Sequence, residues 1–219
     1  MLYAGQTQES YEMNIVCLHE CKELMGTVHP KYASYAKNCG VCACRLGAFD
    51  EAARHFNAAI SCLWDSCIPH QMPVLLSMVD GCVSQFMQFR RSIHAASLIR
   101  RGGDACKLAV SHGSQSSLQQ QGRYYGKAMQ MYVCEHAYDL ALESWKLSIE
   151  GFVGHESLQQ ERSGGIKRDS GYPPDSAQVC YSLACALKDS GNFLSALEPA
   201  SMMLERATAM LDDAHQTVL

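Results

Sequence analysis

Residues 44–60 read Cys44-Arg45-Leu46-Gly47-Ala48-Phe49-Asp50-Glu51-Ala52-Ala53-Arg54-His55-Phe56-Asn57-Ala58-Ala59-Ile60. Ala52, Ala53, Phe56, Ala59, Ile60 and Leu63 fall at i, i+1, i+4, i+7, i+8 and i+11. That spacing makes one stripe on a helix of 3.6 residues per turn. Asp50 and Glu51 lie in the first turn, where the helix dipole favours carboxylates. The stretch therefore reads as a helix that starts just after a glycine turn and buries small residues around one ring. Outward from it, glycine and proline punctuate the chain at regular intervals, and no stretch sustains strand-type alternation. Helices are expected at 9–27, 31–46, 49–66, 73–88, 91–111, 118–135, 138–153, 175–190 and 193–214, joined by short connections that make neighbours antiparallel hairpins. Residues 112–122 read as a polar loop running into a helix, and 154–174 as a polar insertion.

The opening pattern recurs. His136-Ala137-Tyr138-Asp139-Leu140-Ala141 leads to Trp145, Ser190-Gly191-Asn192-Phe193 leads to Ala196 and Ala200, and Arg91-Ser92-Ile93-His94-Ala95 leads to Ile99. The anchoring residues Ala52, Ala95, Ala141 and Ala196 give spacings of 43, 46 and 55. Two antiparallel helices approach closely only where one offers Ala or Gly and the other fills the adjacent gap with a large side chain. Gly40, Gly81 and Ala184 are the expected small sites on the first helices, and Tyr125 and Tyr132 are aromatics of the third. Glycine inside a helix costs about 1 kcal/mol, which close packing must offset.

The Ala-x-x-x-aromatic string with its turn resembles the tetratricopeptide repeat. The longer spacing, Gly26-Thr27-Val28-His29-Pro30, Ala196-Leu197-Glu198-Pro199 and Asp213-Ala214-His215 are similar to the kinesin light chain class of these repeats. The resemblance covers about residues 11–219 and implies a right-handed superhelical solenoid of antiparallel helix hairpins. It implies a single domain over 1–219, with a partial unit at 9–27 and units at 31–66, 73–111, 118–153 and 175–214. In that register the concave face is lined by Ser34, Lys37, Val41, Arg45, Cys82, Gln85, Arg123, Gln130, Gln178, Tyr181, Cys185 and Lys188. The function implied is a non-catalytic protein–protein interaction scaffold, a structural subunit of a larger intracellular assembly of cytoskeletal, motor or ciliary kind. An adaptor holding cargo peptides in the concave groove is the alternative within the same class. Asn38 is the family's groove asparagine retained here, whereas Lys127 and Ser182 stand at equivalent sites.

Composition narrows the chemistry. The chain has 219 residues, 47% hydrophobic and 18% charged, with a formal charge of −4. It is too apolar for a disordered chain and lacks the basic excess of a nucleic-acid binder. Its charge content lies below the roughly 25% usual in soluble domains, which fits a surface committed to protein partners. Twelve cysteines are spread along helical stretches, so they read as reduced packing residues. The opening residues show no signal peptide, and the apolar stretch 60–79 is broken by Asp65, Pro69 and Pro73, predicting a cytoplasmic protein with no membrane insertion.

A zinc- or thiol-dependent enzyme is the alternative from another class. Cys17-x-His19-x-Cys21 and Cys39-x-x-Cys42-x-Cys44 have short spacings, but Cys42 and Cys44 diverge by about 200° on a helix, so neither metal nor cofactor is expected. Gly122-Arg123-Tyr124-Tyr125-Gly126-Lys127-Ala128 lacks the spacing and the hydroxyl of a phosphate loop, and no nucleophile motif is present. Arg90, Arg91, Arg100 and Arg101 form a candidate basic contact patch for an acidic protein surface. Ser163 and Ser170 follow basic residues and are candidate phosphorylation sites. Met87, Phe89, Met131, Met202 and Met203 join Phe86 and Met129 in helical register as core or adaptable contact residues.

Overall fold

The computed structural model describes residues 2–67, 71–162, 174–202 and 204; the side chains of 2–4, 65–67, 156–162 and 174–179 lie outside that description, and the first helix begins at Leu2 where the sequence pattern placed its start at 9. The helices are α1 (Leu2–Met25), α2 (Pro30–Arg45), α3 (Phe49–Cys67), α4 (Met72–Gln88), α5 (Ser92–Ser111), α6 (Ser117–Cys134), α7 (Tyr138–Arg162), α8 (Pro174–Asp189) and α9 (193–202). No strand occurs among the described residues, and the chain is all-α there. Pro30 stands at the start of α2, where its missing N–H costs nothing, and the His29 ring accepts a hydrogen bond from the Lys31 backbone N–H at 3.2 Å.

One turn is used four times. After α2, Gly47 N–H donates to the Cys44 carbonyl at 3.1 Å and Ala48 N–H to the Ala43 carbonyl at 2.9 Å, with Gly47 at φ +80°. This is a Schellman closure, in which a left-handed residue lets the chain cap its own carbonyls. The same pair of bonds closes α4 around Arg90, α6 around His136 and α8 around Gly191. Each anchoring alanine of the sequence repeat lies five residues beyond a left-handed residue, and Ala52, Ala95, Ala141 and Ala196 are all buried. At Arg90 and His136, φ values of 55° and 58° place a Cβ in a region that glycine occupies freely, at a cost of about 1 kcal/mol each.

The described chain divides into two compact units, Met1–Ala109 and Val110–Leu219. Within the first, α1 packs on α2, α2 on α3, and α4 rests on both helices of the preceding hairpin. Side-chain contacts from α1 to α3 and from α3 to α5 keep a constant offset of 44 residues: Tyr11 to His55, Asp50 to His94, and Asn57 to Arg101. Gly40 lies against the Phe56 ring, which meets Phe86 edge-on at 5.3 Å, so the small-against-large contact of this repeat is present. Gly81 departs from the expectation. Its open side faces the flexible end of Lys37 at 3.3 Å, with no ring nearby.

In the second unit α6 and α7 pair closely, and α8 rests on both. Their approach is set by glycines that the repeat pattern did not single out. A Cβ on Gly122 would sit 2.8 Å from the Phe152 ring, and one on Gly151 would sit 2.7 Å from the Gly122 backbone nitrogen. The Ser148 hydroxyl donates to the Gly122 carbonyl at 2.7 Å across the contact. Trp145, buried under α8, donates its indole N–H to the Cys180 sulfur at 3.3 Å. Helix α7 continues to Arg162, nine residues past the expected end at 153. Residues 154–162 are rich in Glu, Gln and Leu, good helix formers, and only the later Gly and Pro residues stop such a run. The polar insertion therefore begins as helix.

Candidate docking surface

Helix α8 starts at Pro174, and its stripe Cys180, Leu183 and Leu187 is buried toward the rest of the unit. Gly191 reverses the chain, and α9 returns alongside, anchored by buried Ala196 and by an ion pair from Lys146 to Glu198 at 3.5 Å. The flank of this hairpin is open. Tyr181, Ala184, Cys185, Phe193, Ala196 and Leu197 line an apolar pocket of about 340 Å3, which Lys188 and Ala200 complete. Tyr181 is 53% exposed, Phe193 65%, Leu194 85% and Leu197 63%. Four large apolar side chains that exposed on one short hairpin exceed the scattered apolar exposure normal for a surface.

The local chemistry is that of a contact surface. A hydrogen bond with the Cys185 thiol raises the pKa of the Tyr181 phenol above its ordinary value. Lys188 supplies the one charge among the lining residues. Among the described residues that line the pocket there is no acid–base pair.

The sequence placed Tyr181, Cys185 and Lys188 on a binding face, and the structure brings these three together with α9. It missed Phe193 and Leu197. The signal was there: Phe193, Leu194 and Leu197 add a second apolar side to a helix already anchored through Ala196 and Ala200. The other expected concave residues divide. Ser34, Arg45, Arg123 and Gln130 are exposed, and Lys37, Val41 and Gln85 are half-buried. Cys82 is fully buried and lines no surface, because α4 turns it into the contact with α2, where burial pushes its thiol up to about 12. Gln178 belongs to α8, but its side chain lies outside the described residues, as do Ser163, Ser170, Met203, Asp213 and His215.

The four-arginine patch is not one surface. Arg101 is held inside the fold, donating to the Asn57 side chain at 2.6 Å, to its carbonyl at 3.2 Å and to Ser61 at 3.0 Å, and burial lowers its pKa. Arg91 lies over the Phe49 ring at 4.1 Å. Arg90 and Arg91 are separated from Arg100 and Arg101 by more than two turns of α5, about 14 Å of rise.

The remaining chemistry is quiet. No disulfide joins the described cysteines, and burial pushes Cys39 and Cys106 up to about 12 and Cys44 up to about 11, which keeps them protonated and unreactive. Among the described residues no three His, Cys, Asp or Glu side chains converge to hold a metal ion, and no helix is long and apolar enough to cross a membrane. The string 122–128 lies inside α6 and forms no loop. No protein-family model matches the chain, and no curated protein matches it.

Proposed function

We infer that the protein is a non-catalytic interaction scaffold of the tetratricopeptide type, a structural subunit of a larger assembly, and that the α8–α9 face receives an amphipathic helix from a partner protein. The observation that carries this reading is the exposed apolar flank of the last described hairpin. Two earlier hairpins are covered by the helix that follows them: α4 covers α2 and α3, and α8 covers α6 and α7. The helix that covers α2 and α3 buries Met72, Leu75, Leu76, Val79, Val83 and Phe86, a stripe at i, i+3, i+4, i+7, i+11 and i+14. A partner helix with the same spacing would complete α8–α9 in the same manner. The four recurring Schellman turns and the constant 44-residue offset support the repeat reading on which this rests.

The test compares wild-type protein with Leu197→Asp as bait in extracts of the native cell, followed by mass spectrometry. Leu197 is exposed, so the variant is expected to melt within about 2 °C of wild type. A partner retained by wild type should be lost about ten- to hundred-fold by the variant, the cost of forcing a carboxylate against an apolar helix. Equal recovery of every protein by both baits would refute the assignment of this face.

A further inference from the structure

We propose that the first unit carries a second, independent docking surface for an acidic protein segment with leucine anchors, built where the α2–α3 and α4–α5 turns meet. The two turns are joined by the Phe49 and Phe89 rings, 5.8 Å apart, and by Arg91 over the Phe49 ring. Leu46, Met87 and Phe89 are exposed around them, so the centre of the surface is apolar. Its charge is positive. Residues 45–51 and 87–94 contain Arg45, Arg90 and Arg91 against Asp50 and Glu51. Asp50 accepts from His94 at 3.1 Å while its side chain stays exposed, and Glu51 faces a further arginine, Arg54, at 3.9 Å, so the balance of charge remains positive. Arg45 and Arg90 are exposed, and neither makes an ion pair among the described residues.

Arg90 supplies the second argument. It occupies the left-handed position that is glycine in two of the four equivalent turns. A bulky residue kept in that conformation costs stability, and such outliers gather where a side chain is needed for recognition. The residue there is a cation beside an exposed ring, so a segment that presents carboxylates and short apolar anchors is the complement. Arginine also favours carboxylates through its paired donors. This surface lies wholly within the first unit and does not depend on the α8–α9 assignment.

The experiment uses the full-length protein and a fluorescein-labelled peptide, Glu-Asp-Leu-Glu-Glu-Leu-Asp-Glu, followed by fluorescence anisotropy. The control peptide carries Gln and Asn in place of every carboxylate. The acidic peptide should bind at least about ten-fold more tightly than the amide control, and more weakly as salt rises from about 50 to about 300 mM. Arg90→Gly should weaken binding about five-fold while raising the melting temperature, because glycine relieves the left-handed strain. Arg45→Glu should weaken it about ten-fold, and Leu197→Asp should leave it unchanged. The proposal is overturned by equal affinity for the amide control or by no binding of the acidic peptide. It is equally overturned by Arg90→Gly and Arg45→Glu both staying within about two-fold of wild type, or by a single-stranded oligothymidine of equal charge competing as well as the peptide.

Discussion

Gly40 and Gly81 occupy the middles of two first helices, yet their surroundings demand opposite responses to the same substitution. An added Cβ at Gly40 meets the Phe56 ring, which is fully buried and held edge-on by Phe86. Gly40→Ala should therefore lose about 1–2 kcal/mol, the overpacking cost outweighing the gain in helix propensity. At Gly81 the neighbour is the end of a lysine chain, which can swing away, so Gly81→Ala should gain about 0.5–1 kcal/mol. Urea unfolding of the pair checks both signs in one protein. The thiols make a second residue-scale prediction. Cys39, Cys82 and Cys106 are held at about 12 and Cys44 at about 11, against an ordinary value of 9.0. A raised thiol pKa means that the unfolded chain loses its proton first as pH rises. Stability is then intact below about pH 9 and falls between about 9 and 12, by about 1.4 kcal/mol per thiol at pH 10. Urea midpoints at pH 8 and pH 10 in a reductant should show the drop, and Cys82→Ala should reduce it by about one thiol's share, a quarter of the whole. At this scale the sequence was a partial guide. Gly40 opposite Phe56 was legible from their place in the repeat, because both lie on the apolar stripe. The Lys37 neighbour of Gly81 was not, since it depends on how two hairpins stack.

Among the elements, the α6–α7 pair owes its closeness to Gly122, Ser148, Gly151 and Phe152. A Cβ at Gly151 would press on backbone atoms of Gly122 and on the Leu118 carbonyl, and backbone cannot rotate out of the way. Gly151→Ala should therefore cost about 3 kcal/mol or more, and it should separate the helices enough to break the 2.7 Å bond from Ser148 to the Gly122 carbonyl. Thermal melting gives the first number. Ser148→Ala, expected to lose about 1–2 kcal/mol, measures how much of the contact is hydrogen bond and how much is packing. Helix positions were readable along the chain because each hairpin is marked by a glycine or proline and a small-residue stripe. The end of α7 was misplaced because a polar run was taken for a loop. Polarity does not by itself mark a loop, and Leu158, Gln159 and Gln160 are residue types with good helix propensity. The left-handed positions at Arg90 and His136 were also hidden. The Schellman bonds that close α4 and α6 force a conformation that neither residue prefers.

For the molecule as a whole, periodicity gives which positions recur but not which recurring surface is left uncovered. Cys82 and Arg101 were expected to be available for contact, and both are engaged within the first unit by residues about forty positions earlier in sequence. Phe193, Leu194 and Leu197 lie on α9, and no later described helix covers them as α8 covers α6 and α7. This exposure predicts the behaviour of the purified chain. Without its partner, the α8–α9 face should associate with itself, because two such faces in contact remove several large apolar side chains from water at about 1.5–3 kcal/mol each when fully buried. Sedimentation velocity at about 10–100 μM should show reversible association of wild-type protein, with weak affinity because the apolar area that one short hairpin can bury is small. Leu197→Asp should move the population to monomer without lowering the melting temperature by more than about 2 °C. An Arg101→Ala variant should do the reverse. It leaves association intact while destabilising the first unit by about 1–3 kcal/mol, through the lost bonds to Asn57 and Ser61. A wild-type chain that stays monomeric across that range, or a Leu197→Asp chain that associates as strongly, would mean that the apolar flank of α8–α9 is not a protein contact surface.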